Sequence, residues 1–101
     1  MNEVPDESIS ATVFASDYLN KFTGEKIERE CRQFLSSGCK TLEVNFRKTE
    51  FVNSIGISIL LGVIDAASEA EAEVIFSDVS EHTADLFEML GLTNHVVVVA
   101  R

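Results

Sequence analysis

An α/β fold is predicted, with a four- to five-stranded mixed sheet and helices packed against it. Three observations carry this. Apolar stretches of period two alternate along the chain with stretches of helical period. The helical stretches are bounded by residues that cap or stop helices. Finally, 101 residues of which 46% are apolar suffice for one core but not for two. A single domain over residues 1–101 is therefore expected. Regular alternation of strand and helix implies mainly parallel pairing with right-handed crossovers.

Residues 1–8 are polar and contain the only proline, Pro5, so a loose arm or short edge strand is expected there. Residues 9–15 (ISATVFA) are apolar and β-rich, and read as the first strand. Residues 16–23 read as a connector. From Gly24 to Ser36, Ile27, Cys31, Phe34 and Leu35 recur at i, i+4, i+7 and i+8, the stripe of an amphipathic helix. Ser37-Gly38 ends it, with glycine where left-handed backbone is needed. Residues 41–46 alternate: Leu42, Val44 and Phe46 face one way, Glu43 and Asn45 the other. After the charged turn 47–50, Phe51-Val52 steps into Asn53, and a helix runs over residues 54–70. Residues 73–77 (EVIFS) form the next strand. Ser80 caps a last helix with stripe residues Leu86, Phe87 and Leu90, and Gly91 stops it. Valine-rich residues 95–100 close the chain as a strand. Val13, Ile27, Phe34, Leu42, Val44, Phe46, Ile59, Val63, Ile75, Leu86, Phe87 and Leu90 are the expected core.

Net charge is −9 and uneven. Residues 1–50 hold seven Lys/Arg against nine Asp/Glu, whereas residues 51–101 hold Arg101 against eight acids. Nucleic-acid binding needs cations to replace phosphate counterions, so that class is excluded, as is an anionic membrane surface. The apolar run 55–67 is broken by Ser58 and Asp65, so no membrane insertion is expected. No secretory signal is visible and the two cysteines, Cys31 and Cys39, fit no metal or CxxC spacing. They read as buried thiols in a reducing compartment, with the cytoplasm as the expected location. Neither metal nor cofactor is expected. P-loop, GxGxxG, GxSxG and HExxH motifs are missing, and Ser54 has no histidine near it in sequence, so the chain reads as no enzyme.

The segment Phe51-Val52-Asn53-Ser54-Ile55-Gly56-Ile57 carries the chemistry that remains. Asn53 or Ser54 can cap the helix that follows, and a phosphoryl group on Ser54 would meet free N–H groups and the positive end of the helix dipole. Gly56 lets another backbone or a ligand approach closely. At 100° per residue, Ser54, Ser58, Asp65, Ser68 and Glu69 form a narrow polar stripe with Leu61 in its middle. Ser54, Ser58 and Leu61 can thus enter one interface.

Four blocks, in order, resemble the STAS domain family, the sulfate-transporter and anti-sigma-factor-antagonist module. VFASDYLN (Val13 to Asn20) resembles its first strand and turn. TLEVNFRKTEFVNSIGISILLG (Thr41 to Gly62) resembles its strand, Asp-Ser-Ser/Ala-Gly-Leu signature and helix. EVIFSDVSEHTADLFEMLGL (Glu73 to Leu92) and the terminal valines resemble the remainder. The resemblance implies a phosphorylated serine at Ser54, with Gly56 as the signature glycine. It implies a partner surface at Asn20, Asn53, Ser54, Gly56, Ser58 and Leu61. It also implies a bacterial anti-sigma factor antagonist that binds an anti-sigma factor/serine kinase of the GHKL ATPase type, with phosphorylation at Ser54 weakening the complex. The kinase supplies ATP and magnesium. Two positions depart from the family: Asn53 and Asn20 stand where aspartates are usual. An amide still caps a helix, so the fold is kept. The alternative is a non-phosphorylated STAS subunit docked on the ATPase of a membrane lipid-transport complex.

Overall fold

The computed structural model describes residues 10–101. The expectations for residues 1–8, and for Ile9 at the start of the first strand, lie outside the described residues. The elements are β1 (Ser10–Phe14), β2 (Tyr18–Leu19), α1 (Lys21–Ser36), β3 (Thr41–Asn45), β4 (Phe51–Val52) and α2 (Ser54–Glu69). They continue with β5 (Glu73–Val79), α3 (Glu81–Met89), a 3-10 turn (Leu92–Asn94) and β6 (Val97–Ala100).

The main sheet has the order β1-β3-β5-β6, and β2 pairs with β4 in a second, two-stranded sheet. Every pairing among the described residues is parallel, including Val13 with Val44 and Val44 with Phe76. The antiparallel member that a mixed sheet requires is not among them. Strand direction is set by the crossovers and leaves no mark in a strand's own residues. The order advances one way across the sheet, so right-handed crossovers put every helix on the same face. That face is the core: Val13, Leu42, Val44, Val74 and Phe76 are buried. Phe46, Phe76 and Phe87 meet edge-on or tilted, with ring centroids 5.2–5.7 Å apart. No described element covers the other face. It carries Phe14, Val97 and Val99, all exposed, and a polar network in which Asn45 Nδ2 donates to Ser77 Oγ (3.1 Å) and Asp78 Oδ2 (2.9 Å) and Ser77 donates to Glu43.

Several details differ from expectation: β2 lies within the expected connector 16–23, and β5 runs on to Val79 rather than ending at Ser77. Helix α1 begins at Lys21, not Gly24, because Asn20 caps it: its Oδ1 accepts from the N–H groups of Phe22 and Thr23, and Thr23 Oγ1 accepts from Asn20 N–H. Phe34 is 41% exposed, since the buried stripe of α1 is Gly24, Ile27, Cys31 and Leu35 and Phe34 lies at its edge. Leu90 is 50% exposed because α3 stops at Met89, and Leu92 fills the core instead. The last strand starts at Val97, since the 3-10 turn after Gly91 (φ +81°) uses up the residues before it. Ile59, Ile75 and Leu86 are half-buried.

Candidate functional site

Among the described residues, the four strands of the main sheet all point the same way, so the starts of the three α-helices gather at the carboxyl edge of the sheet. Asn20, Asn53 and Ser80 are their N-caps. The first two caps are placed together by the small β2–β4 sheet, whose register pairs Tyr18 with Phe51 and Leu19 with Val52. Asn53 N–H donates to Leu19 O at 3.0 Å, fastening the start of α2 to the end of β2.

Asn53 Oδ1 accepts from Gly56 N–H at 2.8 Å, and Asn53 O accepts from Ile57 N–H at 3.0 Å. The N–H groups of Ser54 and Ile55 are the ones a helix start leaves over. Ser54 is the first residue of α2 and is exposed, and its hydroxyl makes no hydrogen bond to a described residue. Ser58 and Leu61 are exposed on the same face, Leu61 about 10 Å along the axis from Ser54. Asn20 and Asn53 are half-buried, their side-chain oxygens occupied by capping. Gly56 is buried rather than presented to a partner: a Cβ there would lie 2.6 Å from Leu19 O. Its close approach serves the chain's own β2, so it contributes to the surface only by setting the height of the helix start.

The sequence reading missed four exposed apolar side chains around the two caps: Tyr18 (46%), Phe22 (78%), Phe51 (65%) and Ile55 (49%). Tyr18 and Phe51 stand edge to face, with centroids 6.1 Å apart. A signal for them exists. Tyr18-Leu19-Asn20-Lys21-Phe22 and Phe51-Val52-Asn53-Ser54-Ile55 share one pattern: aromatic, aliphatic, asparagine, polar, apolar. In each copy the aliphatic residue points inward and the aromatic outward, as a two-residue strand dictates. Among the described residues no three metal-ligating side chains cluster, and no helix is long and apolar enough to cross a membrane.

The STAS domain family model matches residues 7–100. The chain belongs to the STAS domain family. This STAS domain is 24% identical over 74 residues to an anti-sigma-B factor antagonist of Staphylococcus aureus, covering 73% of this chain and 68% of that one. The fold resembles that of the anti-sigma factor antagonist SpoIIAA in its unphosphorylated form, with a TM-score of 0.74 at 16% identity over 99% of this chain and 86% of that one. The phosphorylated form of the Bacillus cell fate determinant SpoIIAA matches with a TM-score of 0.71 at 18% identity, over 90% and 83%. At such identities the structural likeness is one of fold.

Proposed function

We propose that this STAS domain acts as an anti-sigma factor antagonist. In this reading it binds an anti-sigma factor that is also a serine kinase, through the surface around Ser54, and phosphorylation of Ser54 releases it. The observation that carries this reading is the exposed Ser54 hydroxyl at the first position of α2, bonded to no described residue, at a helix start whose flanking β2, β4 and first turns also expose Tyr18, Phe22, Phe51 and Ile55. Exposed aromatic side chains of this kind are the usual anchors of a protein interface.

A phosphoryl group adds about −1.5 to −2 charges at neutral pH. In the free protein that charge meets the unused Ser54 and Ile55 N–H groups and the positive end of the α2 dipole, which favour it. In a close-packed complex the same charge is stripped of water among apolar side chains, which is costly. The modification therefore stabilises the free state relative to the bound one. Asn20 and Asn53 fit this scheme, since an amide oxygen does the capping and places no negative charge beside the phosphate. Ser58 and Leu61 extend the surface along α2. The protein itself performs no chemistry here; its partner brings ATP and magnesium.

The test is incubation with a candidate anti-sigma factor/serine kinase and ATP, with phosphate mapped by mass spectrometry. Phosphate is expected on Ser54. Ser54→Ala keeps fold and binding but takes no phosphate, and Ser54→Asp weakens binding. Phosphate on Ser58, or none from a kinase active on another substrate, refutes the assignment. The latter result would select the docking-subunit alternative.

A further inference from the structure

We infer that Arg101 is a positioning residue for Ser54, acting through the loop that leads into α2. The functional part of this inference rests on the reading of Ser54 above, whereas the brace itself rests on geometry alone.

Arg101 N–H donates to Val79 O at 2.9 Å, which extends the β5–β6 pairing by one residue. Just before Val79 the ladder shifts register, and Asp78 takes a left-handed φ of +52°. Such a bulge turns a carbonyl out of the ladder. Arg101 Nε donates to that carbonyl, Asp78 O, at 3.1 Å. Its Nη2 faces three more carbonyls: Phe46 O at 3.0 Å, Arg47 O at 2.6 Å and Thr49 O at 3.2 Å. They converge because Thr49 N–H closes a turn onto Phe46 O at 3.0 Å. A set of converging carbonyls carries partial negative charge, and a planar guanidinium with several N–H donors fits it as a point-charge ammonium does not.

From this turn the hydrogen bonds lead directly to the candidate site. Buried Thr49 donates from Oγ1 to Ser16 O at 2.7 Å. Asp17 O accepts from Glu50 N–H (2.8 Å) and Phe51 N–H (3.2 Å), and Leu19 O accepts from Asn53 N–H (3.0 Å). Strands β2 and β4 have two residues each, too few to hold their own register. The position of Asn53, and so of Ser54, is therefore set by where the 46–49 turn is held. The one cation of residues 51–101 is spent on holding it.

The experiment compares the full chain with Arg101→Met, which keeps the aliphatic stem, with Arg101→Lys, and with Thr49→Val, which loosens the same turn from its other side. Amide hydrogen exchange is followed by NMR. In Arg101→Met the amides of Glu50, Phe51 and Asn53 should exchange about tenfold faster or more, while Val44 and Phe76 in the central strands keep their rates. Arg101→Lys should fall between, and Thr49→Val should loosen the same three amides. Acceleration spread evenly over the sheet, or no change at those three amides, would overturn the brace. With the kinase, Arg101→Met should raise KM for Ser54 phosphorylation several-fold at nearly unchanged kcat, with Arg101→Lys partly restoring it. An unchanged KM would overturn the positioning role while leaving Ser54 as the phosphorylated residue. An unphosphorylated wild-type protein would overturn the function of Ser54 and the positioning role with it, and the exchange pattern would still decide the brace.

Discussion

Helix α2 contains two glycines whose replacement by alanine should have opposite signs. At Gly56 the added Cβ would sit 2.6 Å from Leu19 O, 3.0 Å from Leu19 Cγ and 3.1 Å from Leu19 C. Ordinary contact begins near 3.5 Å, so the helix start and β2 would have to part by about 0.9 Å. The Asn53 N–H to Leu19 O bond, now 3.0 Å, would then be lost. Overpacking costs about 1–3 kcal/mol and a lost hydrogen bond about 0.5–1.5. Alanine returns about 1 kcal/mol of helix propensity. The net expectation is a loss of about 0.5–3.5 kcal/mol. At Gly62 an added Cβ would touch only Glu28 Oε2, at an ordinary 3.6 Å, so Gly62→Ala should gain up to about 1 kcal/mol. Urea denaturation of both variants at neutral pH measures the difference. Equal shifts, or a Gly56→Ala protein at least as stable as wild type, would show that α2 does not lie this close to β2.

Three further outcomes can be measured on the same footing. Phe87→Ala should cost about 3–5 kcal/mol, because its fully buried ring closes the triad with Phe46 and Phe76, whereas Phe34→Ala, at the exposed edge of α1, should cost about 1 kcal/mol or less. Near-wild-type melting of Phe87→Ala would refute the packing. Asn20→Ala should lose about 1–2 kcal/mol with its two capped N–H groups, while Asn20→Asp keeps the cap; equal losses from both would refute the capping box. Burial pushes the Cys31 thiol up to about 12, with the negative charges of Glu30, Cys39 and Glu28 adding to it. The unfolded chain, with a thiol near 9.0, ionises first, so this contribution is intact below pH 9 and fades as pH rises toward 12. Between pH 8 and pH 10 wild type should lose roughly 1 kcal/mol more than Cys31→Ala in urea titrations, and identical losses would place the thiol in water.

Much of the fold was legible because it rests on periodicity. The alternation in residues 41–46 marked β3, and the wide apolar arc of residues 54–70 marked a helix packed between sheet and neighbour. The parts that were not legible leave no period. Tyr18-Leu19 is too short to alternate. The first turn of α1 faces away from the core, with Phe22 78% exposed, so apolar spacing did not reveal it. Its start was marked only by Asn20 and Thr23, an asparagine–threonine box without the usual glutamate. Of the candidate site, Ser54, Ser58 and Leu61 could be put on one face from helical spacing alone. The aromatic flank needed the pairing of β2 with β4. Arg101 could not be read as a brace, because its partners are backbone carbonyls, which have no letter in the sequence.

The separation of helix starts from helix ends has a practical use. The starts of α1 and α2 lie at one edge of the sheet, while the last turn of α1 lies at the other, five residues of strand or about 17 Å away. Ser36 is exposed in that last turn. The two native thiols, Cys31 and Cys39, are buried and free. A single exposed cysteine introduced as Ser36→Cys can therefore be alkylated without removing either of them. A dye or a surface tether attached there leaves the whole Ser54 edge open to solution. Immobilised in that orientation, every molecule on a sensor chip presents the same end to a candidate kinase, and binding before and after phosphorylation can be compared on one surface.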